Sequence, residues 1–342
     1  MANILILGAG SMGTAFSFPC SDNNHEVSIV GTHLENDFID EINSKRKHPA
    51  LDSEVPKSVK FLKFENLNKE INKKIDLIVI AVVSKGIEWV SLELSKVLKN
   101  DVPILILTKG LAVHNGNYEI LAHKMERLLK KNGIKKINIS AAGGPCLAKG
   151  LANKAHTSVV FANNDINVVE QISKLVSTDY YHVSTSKDII GVETCAAIKN
   201  IFSMAVGASQ GLCESTKSKE KNYLNTAAAL IQESIYEMIL FVEKLKGKKE
   251  TVIGLAGIGD LYVSADGGRN SKMGEYLGEG MKFQEIKKTK MSNITVEGAD
   301  LALEIGAKVK KDFDIKTLPL MISMINTICE DKPLKVDWKN FK

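Results

Sequence analysis

The chain has 342 residues, 44% of them hydrophobic and 25% charged, with a formal net charge of +5. That length serves two domains, or one large domain with a generous core. Its lysines are interleaved with acids along the whole sequence, which excludes the clustered basic stripe of a nucleic-acid-binding protein.

Five scattered cysteines (Cys20, Cys146, Cys195, Cys213, Cys329) stand at no metal-ligand spacing. They fit a reducing compartment, and Met1 leads straight into an apolar run without a signal peptide, so a cytoplasmic location is expected.

In chain order, NILILG (3–8), EVSIVG (26–31), DLIVIAV (76–82), VPILILT (102–108), INISAA (137–142) and TSVVFA (157–162) are continuous apolar or β-branched runs. Strands buried on both faces read this way, so a parallel sheet covered by helices is expected. Between the runs, IEWVSLELSKVLKN (87–100) and YEILAHKMERLLKKNG (118–133) show helical spacing and end in Asn or Gly stops. The expected fold class is α/β, a doubly wound, Rossmann-type sheet over residues 1–186.

From about Ser186 the texture changes to long helical patterns with no strand between them, which predicts an all-helical domain over residues 187–342. The run from Thr194 to Cys213 has the length of a membrane span, but Lys199, Asn200 and Gln210 interrupt it, and a buried core helix is expected. CESTKSKEKNYLN (213–225) is the most polar stretch and reads as a loop, either a solvated connection or a flap over a site.

Gly8, Gly10 and Gly13 form G-x-G-x-x-G directly after the first strand and at the start of a helix. The first glycine permits the tight turn, the second lets backbone approach a pyrophosphate, and the third lets helix pack on strand. Dinucleotide binding is expected there. At the end of the second strand an NAD-specific site usually carries an acid for the ribose 2′-hydroxyl. Here stand Thr32 and His33, with acid only at Glu35, which leans toward NADP or dual use.

Lys109 lies at the carboxyl end of a strand, where open α/β sheets bind ligands; a plain surface lysine would also stand there. AAGGPCLAKG (141–150) is a glycine-proline turn whose amides at Gly143, Gly144 and Cys146 can approach a ligand. GLAGIGDLYVSADGGRN (254–270) is glycine-rich within the helical half, a costly composition that fits backbone held close to something. Asp260, Arg269 and Asn270 are its polar residues.

All seven histidines lie at or before His182. A proton carrier in the helical half must therefore be another group. Lys199 is the one charge between Glu193 and Glu214. Burial lowers a lysine pKa and fits it for general acid–base work. Alternatively, Lys199 snorkels, or pairs with an acid such as Asp260 or Glu193.

Together GAGSMGTA (8–15), TKG (108–110), GGPCLA (143–148), AAIKNIFSMAVG (196–207), NTAAAL (225–230), GLAGIGDL (254–261), GGRN (267–270) and VEG (296–298) resemble the NAD(P)-dependent sn-glycerol-3-phosphate dehydrogenase family over nearly the whole chain. The resemblance implies Lys199 as proton donor or acceptor, Lys109 as second pocket lysine and Asp260 as active-site aspartate. It implies Arg269 and Asn270 on the substrate phosphate and neighbouring cofactor, and Gly144 and Cys146 along the substrate. Ala148 and Glu297 would lie near the nicotinamide cofactor, and Ser11 and Met12 would touch cofactor in the first turn.

Three positions depart from the family pattern. Cys146 and Gly268 replace a serine or threonine, and Thr32 stands where an arginine or histidine is common. The implied cofactor is NADP or NAD, and the implied partner a small phosphorylated substrate, with no nucleic acid, no membrane insertion and room for a homodimer. The implied role is supply of glycerol phosphate for phospholipid synthesis. Two rivals stay open: a related two-domain reductase of a 2-keto or 3-hydroxy acid, and a non-catalytic nicotinamide-nucleotide-binding regulator.

Overall fold

The computed structural model describes residues 1–99, 101–213 and 223–342. The loop read at 213–225 therefore falls largely on residues outside the described ones. The chain divides into two units: Met1–Lys109 with Ile120–Val192, and Gly110–Glu119 with Glu193–Lys342.

The first unit is built on strands β1 (Asn3–Leu7), β2 (Glu26–Val30), β3 (Lys60–Leu62), β4 (Leu77–Ile80) and β5 (Pro103–Ile106). A hairpin, β6 (Leu111–His114) and β7 (Asn117–Ile120), interrupts them before β8 (Asn138–Gly143), β9 (Thr157–Ala162) and β10 (Tyr181–Ser186). The sheet order is β10-β9-β8-β5-β4-β1-β2-β3. Every neighbouring pair is parallel except β8 and β9, so the last two strands run opposite to the rest. All six predicted strands are present. Ile4, Ile6, Ile29, Val79 and Leu105 are almost wholly buried, as a sheet covered on both faces requires.

β3 and β10 carry no continuous apolar run because they are the two edges of the sheet. Their polar side chains face water, so Lys60, His182 and Ser184 alternate with Phe61, Tyr181 and Val183. The predicted helix over 118–133 begins only at Leu121. Its first residues pair in the hairpin, whose turn Asn115–Gly116 has φ of 49° and 73°. Asn-Gly flanked by apolar residues is a strong hairpin signal, and here it outweighs the helical spacing that follows.

In the second unit the predicted long helix runs unbroken from Ile189 to Cys213. It is long and apolar enough to cross a membrane, but 94% of its apolar window is buried inside the protein. Glycine sets what it packs against. A Cβ on Gly274 would lie 1.8 Å from the Met204 carbonyl oxygen, and one on Gly207 would lie 2.3 Å from that of Ser271. The helices Ile189–Cys213 and Arg269–Gly278 therefore meet backbone to backbone. Gly298 approaches the Asn200 carbonyl in the same way, with 2.3 Å left for a Cβ. These contacts fix the segments carrying Lys199, Arg269 and Glu297 against one another.

Gly274→Ala is expected to destabilise the protein by about 1–3 kcal/mol or more, as overpacked cores are. Chemical denaturation measures it, with Gly133→Ala as comparison, where a Cβ would meet nothing within 4 Å among the described residues and only the positive φ of 92° resists. Equal losses in the two variants would refute the packing argument.

Candidate active site

The glycine turn in the first unit separates into structural and ligand-facing parts. Gly8 has φ of 109°, and its Cβ would lie 2.7 Å from the Ala81 oxygen. A Cβ on Gly13 would lie 2.3 Å from the Gly8 oxygen. The protein's own backbone explains both. Gly10 is different: a Cβ there would meet nothing within 4 Å among the described residues.

Gly10 is the N-cap of the helix Ser11–Asp22 and makes no side-chain capping bond. The amides of Ser11, Met12 and Gly13 thus begin a twelve-residue helix whose dipole favours an anion. The residues present fit a pyrophosphate. Gly10→Val should leave the melting temperature within a degree or two while weakening dinucleotide binding about tenfold to a hundredfold, the worth of one or two lost charge-assisted hydrogen bonds. Fluorescence titration and a thermal melt on the same sample check this; unchanged binding would remove the turn from the site.

At the end of β2, the His33 ring lies against Trp89 with centroids 5.0 Å apart, and Phe64 lies 5.1 Å from Trp89. The Glu35 carboxylate returns to this strand end and accepts from the Thr32 amide at 2.7 Å and the Ala9 amide at 3.3 Å. Elsewhere in the unit, the Thr108 hydroxyl donates to the Val82 carbonyl at 2.6 Å and holds the segment carrying half-buried Lys109 beside the end of β4. Gly144 has φ of 110°, with Val159 Cα 3.2 Å from the position of a Cβ. The side chains of Cys146 and Ala148 pack against the sheet core.

In the second unit the structure joins Lys199 to Asp260. The ammonium lies 2.9 Å from Asp260 Oδ1, and the two side chains are only 7% and 3% exposed. Lys199 also donates to the Ser264 hydroxyl. Asp260 and Ser264 stand one turn apart on the short helix Asp260–Ala265, hence on one face. A π-helical turn, Leu255–Gly259, leads into that helix. It widens the coil just before Asp260, a feature common at functional sites. Gly257 is required within it, since a Cβ would lie 2.0 Å from the Val252 oxygen. Of the glycines in 254–270 it is Gly257 that serves close approach of the protein's own backbone, whereas Gly254 and Gly268 leave 3.4 Å for a Cβ.

Ser264 was not singled out from sequence, although its spacing of four from Asp260 is a legible signal. Asn200 was missed too. Its Oδ1 accepts from Asn270 Nδ2 at 2.9 Å, and Asn270 Oδ1 accepts from the Gly298 amide at 2.9 Å. This buried chain ties the residue after Lys199 to the first turns of two other helices. Asn270 therefore spends its side chain on positioning.

Arg269 is the first residue of the helix Arg269–Gly278, and Glu297 the first of the helix Glu297–Asp312. They form an ion pair with side chains 57% and 42% exposed. A cation at a helix N-terminus opposes the helix dipole, which makes sense where an anion is to be held. Glu297 supplies that anion in this structure.

A glycine turn at the head of a doubly wound sheet fits a dinucleotide, and the helical unit adds a buried lysine–aspartate pair. Models of the N-terminus and C-terminus of NAD-dependent glycerol-3-phosphate dehydrogenase match residues 3–169 and 188–337. The chain is 31% identical to the NADP(+)-dependent glycerol-3-phosphate dehydrogenase of Archaeoglobus fulgidus, over 90% of this chain and 91% of the relative. It is 30% identical to the glycerol-3-phosphate dehydrogenase [NAD(P)+] of an Exiguobacterium species, over 97% and 92%.

The crystal structure of glycerol-3-phosphate dehydrogenase from Coxiella burnetii superposes with a TM-score of 0.81 at 26% identity, covering 97% of this chain and 96% of that one. This chain belongs to the NAD-dependent glycerol-3-phosphate dehydrogenase family. A D-mandelate dehydrogenase, at 15% identity and a TM-score of 0.58, shares the fold alone.

Proposed function

We propose that the protein interconverts dihydroxyacetone phosphate and sn-glycerol 3-phosphate with NAD(P)H, and that in the cytoplasm it supplies glycerol phosphate for phospholipid synthesis. The observation that carries this reading is the buried Lys199–Asp260 pair. A pair so placed is expensive to desolvate, and its cost is understandable where the ammonium's proton is used.

When bound, the nicotinamide dinucleotide supplies or takes up the hydride at substrate C2. The amides of Ser11 and Met12 would hold its pyrophosphate. As the ketone is reduced, negative charge grows on the C2 oxygen, and Lys199 donates its proton there; in oxidation the neutral amine takes that proton back. Asp260 and the Ser264 hydroxyl hold the ammonium in place and balance its charge. Arg269 exchanges Glu297 for the substrate phosphate, to which its planar fork is suited. Lys109 and the backbone at Gly144 and Cys146 belong to the first unit, where the lysine adds positive potential.

The decisive assay follows oxidation of NADH and NADPH with dihydroxyacetone phosphate beside a series of 2-keto acids. Turnover confined to the phosphorylated ketone supports the reading. Turnover confined to a keto acid would replace it with the carboxylate reductase, and none at all would favour a silent nucleotide-binding protein.

A further inference from the structure

The geometry points to Glu35 as the residue that takes the ribose 2′-hydroxyl of the cofactor and turns this enzyme toward NADH and away from NADPH. The assignment rests on the dinucleotide reading above and runs against the lean given by Thr32 and His33. In doubly wound nucleotide-binding units the acid for this hydroxyl stands at the end of the second strand. Here that strand ends at Val30, and the acid comes five residues later.

The fold removes the distance. The Glu35 amide donates to the Thr32 carbonyl at 3.0 Å, closing a turn that brings residue 35 back over the strand end. One oxygen of its carboxylate then bridges the Thr32 and Ala9 amides, joining the end of β2 to the glycine turn. A ribose attached to a pyrophosphate on Ser11 and Met12 must pass this bridge. The second carboxylate oxygen is an acceptor, and a ribose hydroxyl is a donor it can take.

A 2′-phosphate offers that oxygen no such proton at neutral pH and brings nearly two negative charges. Thr32, whose amide Glu35 holds, lines a cleft with Gly31, Phe64, Trp89 and Glu93, and no lysine or arginine is among its lining residues. Glu93 is paired with Lys96 at 2.7 Å, whereas Glu35 forms no salt bridge among the described residues. The His33 ring lies against Trp89 at an interplanar angle of 52°. Relatives named for NADP(+) and for NAD(P)+ both occur in the family.

The test is equilibrium binding of the full chain to NADH and NADPH, read from quenching of tryptophan fluorescence. ADP-ribose and its 2′-phosphorylated form serve as redox-silent controls. Wild type should bind NADH at least about tenfold more tightly than NADPH, the scale of one close like-charge contact. Glu35→Gln keeps the shape and one acceptor while removing the charge, and should bring the two affinities within about threefold, chiefly by tightening NADPH.

Wild type binding NADPH as tightly as NADH would overturn the assignment, as would an unchanged ratio in Glu35→Gln. The wild-type ratio decides even if the variant folds poorly. Loss limited to the ratio removes only Glu35 from its role; failure to bind either nucleotide removes the dinucleotide reading with it.

Discussion

Lys199→Met lowers turnover by a factor on the order of 10² to 10⁴, the usual worth of general acid catalysis, while NADH binding stays nearly intact. The glycine turn and Glu35 belong to the other unit and lose nothing by the change. The variant also takes the Lys199 ammonium away from the Asp260 carboxylate, which is only 3% exposed. Removing one member of a buried ion pair typically costs about 3–5 kcal/mol of stability, so a fall in activity could be blamed on misfolding. A second substitution separates the two effects. Lys199→Met with Asp260→Leu removes both charges, and most of the stability should return, since replacing buried pairs with apolar side chains is often neutral. Turnover should not return. Steady-state kinetics beside chemical denaturation of both variants checks this. A folded Lys199→Met variant with near wild-type turnover would end the proton-donor assignment.

Arg269→Ala raises the Michaelis constant for dihydroxyacetone phosphate by a factor on the order of 10² or more. Two charge-assisted hydrogen bonds at roughly 1.5–3 kcal/mol each set that scale. The structure adds a reason for a large effect: without the guanidinium, Glu297 is left facing the incoming phosphate with its charge unopposed. Arg269→Lys keeps the charge but loses the fork, so an intermediate loss is expected. Inorganic phosphate should inhibit the alanine variant less than wild type. Dihydroxyacetone without phosphate is the control, and its poor turnover should barely change. If Arg269→Ala harms both substrates equally, the residue is structural or bound to cofactor, and a carboxylate substrate becomes the better reading.

The central strands were legible because burial on both faces forces an unbroken apolar run, and Ile4 to Leu7 could hardly be anything else. The edge strands β3 and β10 were not, since water on one side admits polar residues. The hairpin at Asn115–Gly116 carried its own turn signal but was masked by helical spacing in the residues after it. In the helical unit, Lys199 drew notice by its charge alone among apolar neighbours, and the sequence offered both Asp260 and Glu193 as partners.

What the sequence by itself determined is whatever depends on residues near one another along the chain: the strand periodicity, the glycine turn after β1, the apolar helix and its single charge. Partnership across sixty or more residues was decided only in three dimensions. Lys199 met Asp260, which directly follows a π-helical turn, in a unit where glycines at 207, 274 and 298 let helix backbones touch. Glu35 looked too far along the chain to serve the end of β2, until a turn of four residues carried it back to the Thr32 and Ala9 amides. A residue's type is fixed locally, but the partner that gives a charge its use is chosen by packing, and packing is settled by which backbones can approach.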